Sequence, residues 1–146
     1  MNSNLVIFSS RVLKSPVEKV YNAFSDPLLL KKWWGPKGFT NTFHEFDLQP
    51  GGNWILTMHG PENGNYENGS KFRIIKPQKL ITWTRISKPI FDMEVEFEKL
   101  AESKTRISFK MIFENAEECE KIRKFAEPKN EENFDRLQLV LQDLSV

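Results

Sequence analysis

The sequence predicts an α+β domain: an antiparallel sheet of about seven strands, two short helices after the first strand, and a long helix at the C-terminal end. Three observations predict it. Apolar spacing is helical over about residues 17–34, changes to a period of two from about residue 41, and becomes helical again after about residue 115. Glycine, proline and asparagine pairs punctuate the middle of the chain at Pro50-Gly51-Gly52, Gly60-Pro61, Asn63-Gly64, Lys76-Pro77 and Lys88-Pro89, with Glu102-Ser103 as a further turn. Runs of strands followed by a helix favour an antiparallel sheet with its helices on one face.

The elements follow in order. Residues 5–13, LVIFSSRVL, are rich in strand formers and end at Lys14-Ser15-Pro16, where Ser15 is expected to cap a helix, with Pro16 at its first position and Glu18 completing a capping box. Val17, Val20, Tyr21 and Phe24 make its buried stripe. Asp26-Pro27 starts a second short helix carrying Leu29, Leu30, Trp33 and Trp34 before Gly35-Pro36 breaks it. Five or six strands then form a meander. In DMEVEFEKL the residues Met93, Val95 and Phe97 face one way, and in TRISFKMIF so do Ile107, Phe109, Met111 and Phe113. Asn115 is expected to cap a short helix that Pro128 interrupts, followed by a longer one over about 131–144 with Phe134, Leu137, Leu141 and Leu144 on its stripe. A sheet of this size must curl, and one helix does not fill the hollow it makes, so a residual cavity is expected.

Composition narrows the function classes. A chain of 146 residues is expected to form one domain, with no linker or repeat to divide it. Its 21 basic and 20 acidic residues give a formal net charge of +1, with the signs interspersed, which argues against nucleic acid as a partner. The basic-aromatic runs KKWW and KLITWTR do not change that reading. With Cys119 as the single cysteine, no internal disulfide forms. The N-terminal residues show no signal-peptide pattern and no stretch is long enough to span a membrane, so a cytoplasmic location is expected. Asn68-Gly69-Ser70 matches a glycosylation acceptor and is read as a turn.

No catalytic or metal motif stands out. His44 and His59 lie on different predicted strands and lack companion ligands, so no metal and no cofactor is expected. Cys119 falls on the stripe Ala116, Cys119, Ile122 and reads as packing. GNYENGSK has the wrong order and context for a phosphate loop and reads as a hairpin turn. The carboxylates Glu94, Glu96 and Glu98 form a wet strand face. What remains is a surplus of large apolar side chains: 12 Phe and 4 Trp.

In this order, SPVEKVYNAFSDPLLLKKWWGPKGF, DLQPGGNW, FRIIKPQKLITWT and FDRLQLVLQDL resemble the START-like (SRPBCC) helix-grip superfamily over nearly the whole chain. Within it the sequence is similar to proteins related to the C-terminal domain of the activator of the ninety-kilodalton heat-shock chaperone ATPase. The resemblance implies a curved antiparallel sheet wrapped around the C-terminal helix, with a cavity that takes apolar or amphipathic small molecules in many relatives. Gln49 stands where relatives often carry Arg, Tyr21 where Trp is common, and the Gly-Trp often seen before the last helix is absent around 129–134. The pocket's mouth and end are therefore expected to differ.

Three functional readings follow. The first is non-catalytic binding of a small hydrophobic molecule, in a cavity lined by Trp33, Trp34, Phe39, Trp54, Met58, Trp83, Phe134, Leu137 and Leu141. Trp33 is expected to be mainly core and Trp34 the rim. The second is an interaction domain whose partner is a chaperone ATPase. The third is a cyclase- or hydrolase-like enzyme using Asp47, His59 or Arg85 as polar pocket groups, although no acid–base pair is assignable. Monomer and homodimer are both compatible with the pattern.

Overall fold

A computed structural model describes residues 3–144, Ser3 by its backbone alone. A single 3-10 turn, Ser3–Leu5, leads into β1 (Val6–Leu13). Two helices follow, α1 (Val17–Ser25) and α2 (Pro27–Trp33), and then β2 (Thr40–Phe46), β3 (Asn53–His59), β4 (Asn65–Lys76), β5 (Leu80–Arg85), β6 (Asp92–Ala101) and β7 (Lys104–Ile112). The last element is α3 (Ala116–Leu144). All pairings are antiparallel, in the order β1-β7-β6-β5-β4-β3-β2. The meander thus runs from β2 to β7, and β1 closes onto β7 from the far end of the sequence.

Alternation decides which sheet face is dry. Met93, Val95 and Phe97 of β6 and Ile107, Phe109 and Met111 of β7, with Phe113 just beyond, are buried as their spacing requires. Helices cover this face. Phe134 of α3 lies with its ring centroid 4.6 Å from that of Phe109. Arg11 of β1 reaches α3 from the strand side, pairing with Asp135 at 2.6 Å and Glu131 at 2.8 Å while its guanidinium sits over the Phe134 ring.

The helix ends show where local signals hold. Asp26 caps α2 by accepting from the Leu28 N–H at 2.9 Å, with Pro27 at the first turn. Asn115 caps α3 by accepting from the Glu118 N–H at 2.9 Å. Ser15 does not cap α1: Pro16 occupies the cap position with no side-chain bond, and the Lys19 and Val20 N–H groups donate to its carbonyl. Ser15 is buried instead, its carbonyl accepting from the Thr105 hydroxyl at 2.8 Å. That contact ties the end of β1 to β7.

Three further expectations are corrected. Pro128 does not divide the last helix, which is continuous from Ala116 to Leu144. The carbonyl that Pro128 leaves without an N–H donor belongs to Lys124, and both residues are exposed, so that carbonyl is open to solvent. Buried Ala126 and Asn133 hold the helix on either side. Leu144 is exposed, because the helix ends there beyond the core. Asn68-Gly69-Ser70, expected as a turn, lies within β4. Gly69 there lets the Ile86 side chain approach to 3.1 Å of where a Cβ would stand.

Candidate functional site

The site begins with how α2 ends. The Ala23 carbonyl, four residues before Pro27, has no helical N–H to accept from, and the Trp33 indole N–H donates to it at 2.9 Å. Trp33 is wholly buried by that anchor. Trp34 has left the helix with extended backbone (φ −68°, ψ 133°), so it is turned away from Trp33 by the helix end rather than by a further helical step.

Its neighbour Gly35 has φ +96°, and a Cβ there would come within 2.8 Å of the Met58 Cε, so both conformation and space favour glycine. From α3, Asn133 donates to the Trp33 carbonyl at 2.8 Å and accepts from the Gly35 N–H at 3.2 Å. One turn on, Arg136 donates to the carbonyls of Lys32, Trp34, Gly35, Pro36 and Phe39 at 2.8–3.1 Å. The whole segment from Lys32 to Phe39 is strapped to α3.

Beyond the strap lies an open cavity of about 690 Å³. One wall is Trp34, Gly35, Pro36, Phe39, Met58 and Tyr66. Phe91, just before β6, Met111 of β7, and Ile122 and Ala126 of α3 also line the cavity. Polar groups line it as well: Asn65, Glu67 and Asn68 on β4, Lys129, Asn130 and Asn133 on α3, and Arg85 with Lys88 near the end of β5. Size and mixed lining match ordinary small-molecule sites.

Of the residues singled out by sequence, Trp34, Phe39, Met58 and Arg85 border this cavity. Trp33, Trp54, Trp83, Phe134 and Leu137 are packed in the core and do not border it. The reason is Phe24 of α1, whose ring meets those of Trp33, Trp34, Trp54 and Trp83 at centroid distances of 5.6–6.0 Å and fills that end of the hollow. Leu141 lies by a separate hollow of about 380 Å³ beside Leu13 and Gln138.

Asp47 and His59 do not border the cavity either. Asp47 accepts from Gln49 Nε2 at 2.9 Å and packs on Gly52, where any Cβ would collide with the Asp47 carbonyl. Both His59 ring nitrogens are held, one by the Thr42 hydroxyl at 2.8 Å and the other by Asn65 Oδ1 at 2.7 Å. His44 is exposed and bonds the Thr57 hydroxyl. Asp47, His59 and Arg85 therefore do not form one polar group. Tyr21 packs edge-on against Phe97 and borders no part of the cavity.

Cys119 is buried, and burial pushes its thiol pKa up, against a smaller opposing effect of Arg123. Among the described residues no His, Cys, Asp and Glu cluster could hold a metal ion, and no helix is long and apolar enough to cross a membrane.

Sequence reasoning missed Tyr66, Phe91, Ile122, Ala126, Asn130 and Asn133 as cavity residues. A signal existed for the two asparagines: Asn130, Asn133 and Leu137 fall at i, i+3 and i+7, so two amides share the inward face of a helix.

A seven-stranded antiparallel sheet gripping a long C-terminal helix, with two short helices after the first strand and a hollow left between, defines the START-like helix-grip class. Solved structures of that shape cover nearly the whole chain. A protein from Nitrosomonas europaea superposes with a TM-score of 0.88 at 21% identity over 98% of this chain and 97% of its own. One from Arthrobacter aurescens gives 0.87 at 22% over 97% and 88%. The AHSA1 protein of Silicibacter pomeroyi gives 0.77 at 17% over 94% and 97%. No curated protein sequence matches significantly. The sequence profile of the family described as activator of Hsp90 ATPase homolog 1-like protein matches residues 14–142, and the chain belongs to that family.

Proposed function

We propose that this protein binds a small hydrophobic or amphipathic molecule, without catalysis, in the cavity between α3 and the strapped Lys32–Phe39 segment. The observation that carries the reading is the cavity of about 690 Å³, bordered by Trp34, Met58, Phe91, Met111 and Ile122. Burial of apolar surface on both partners supplies the driving force, and a few polar groups orient the guest. Asn133 and Arg136 hold the Trp34 wall in place before any guest arrives, which lowers the ordering cost of binding.

Native mass spectrometry after incubation with a small-molecule extract of the protein's own host tests this. A defined adduct of one small molecule per chain is expected. The bare chain mass throughout would contradict the reading.

The family match favours a second reading, an interaction domain for a chaperone ATPase. Stimulation of the chaperone's ATPase rate by the pure chain supports it, and an unchanged rate at saturating protein ends it.

A further inference from the structure

Arg85 is the best-defined charged group on the cavity, and its surroundings are unlike those of the other paired arginines. Arg11, Arg106 and Arg123 each form an ion pair with a carboxylate. Arg85 forms none. Its Nε donates to the Pro89 carbonyl at 2.9 Å, its Nη2 to the Ser87 hydroxyl at 3.2 Å and the Lys88 carbonyl at 3.3 Å, and its guanidinium lies 5.4 Å from the centre of the Phe91 ring. These contacts fix the plane of the fork and use one edge of it. Nη1, with two further N–H donors, takes part in none of them.

The charge around it is one-sided. Arg85, Lys88 and Lys129 border the cavity, against a single carboxylate, Glu67, whose Oε1 already accepts from the Thr57 hydroxyl at 2.8 Å. In a chain whose net charge is only +1, this is a local excess of positive charge over an apolar hollow. Burial lowers the Arg85 pKa, the mark of a cation that has lost water without gaining a counterion. A partly desolvated guanidinium recovers that cost when an oxyanion meets its unused Nη1 donors.

We infer that the cavity selects amphipathic carboxylates, with the head group on Arg85 and the apolar body against Phe91, Met111 and Ile122. This rests on the cavity-binding reading above and specifies its guest. An oxyanion head suits the unused Nη1 donors, and Lys88 and Lys129 add attraction without fixing geometry. Neutral and cationic molecules with the same tail fill the apolar walls but leave the guanidinium unpaired.

Displacement of the neutral fluorescent probe N-phenyl-1-naphthylamine tests this, with dodecanoate, dodecanol and dodecylamine as competitors below their aggregation thresholds. Dodecanoate is expected to displace the probe at a concentration at least ten times lower than the other two. Arg85→Gln is expected to abolish that preference. Lys129→Gln, on the exposed side of α3, is expected to weaken dodecanoate a few-fold and serves if the Arg85 variant does not fold.

Probe binding with no preference for dodecanoate, or a preference unchanged in folded Arg85→Gln, overturns the carboxylate assignment and leaves the cavity reading standing. If Arg85→Gln does not fold, dodecanoate binding unchanged in Lys129→Gln overturns it. No saturable probe binding at all removes the cavity reading, and the assignment with it.

Discussion

The guanidinium of Arg136 on α3 donates to the main-chain carbonyl of Trp34 at 3.0 Å, joining residues 102 apart in sequence. The same side chain reaches four other carbonyls of the Lys32–Phe39 segment and has no carboxylate partner among the described residues, and burial lowers its pKa. It therefore acts as a staple between helix and cavity wall. Arg136→Met is expected to lower stability by about 2–4 kcal/mol, measured by urea unfolding, because several charge-assisted bonds go at once. Arg136→Lys should recover only part of the loss, since an ammonium with three donors cannot reach five carbonyls at once.

Two tryptophans offer a matched comparison. The Trp33 indole N–H donates to the Ala23 carbonyl that Pro27 leaves unpartnered, whereas the buried Trp54 N–H has no hydrogen-bond partner among the described residues. Trp33→Phe is expected to cost about 1–3 kcal/mol more than Trp54→Phe, because only the first strands a buried acceptor. Equal melting-temperature losses in the two variants would contradict this account of the helix junction.

Gly35 is the hinge on which Trp34 turns out of α2. Gly35→Ala places a methyl group at φ +96° and 2.8 Å from Met58 Cε, and a loss of about 1–3 kcal/mol is expected. Because Trp34 and Met58 both border the cavity, its tryptophan fluorescence should shift and its affinity for a neutral apolar probe should fall.

Burial raises the pKa values of both the Cys119 thiol and the Tyr21 phenol. As pH rises, the unfolded chain gives up these protons first. Their contribution to stability is thus complete below the ordinary thiol range near about pH 8.5 and declines above it. Urea midpoints measured from pH 7 to 10 should fall, and Cys119 should react with a thiol reagent only as fast as the chain opens.

The elements legible in sequence were those specified locally. Asp26-Pro27 and Asn115 announce helix starts because the cap and its donor lie within three residues. The alternation in β6 and β7 announces one dry face because period two is a property of each strand alone. Ser15 misled because its partner, Thr105, is 90 residues away. The cavity was legible as a consequence of curvature, but its lining only in part: Trp34, Phe39, Met58 and Arg85 border it, and Trp33, Trp54, Trp83, Phe134 and Leu137 do not. Trp54, Trp83 and Trp34 all point inward, and which of them meets open space depends on where Phe24 docks, a matter of tertiary packing that no spacing encodes.

The central claim is that the hollow between α3 and the Trp34 wall takes a small apolar guest. Titration with N-phenyl-1-naphthylamine, comparing the protein with an Ile122→Trp variant that fills the hollow from α3, tests it most directly. Saturable one-to-one binding is expected, weakened at least tenfold in the variant while its melting temperature stays within a few degrees. Absence of saturable binding, or equal binding by a folded Ile122→Trp variant, would contradict the account.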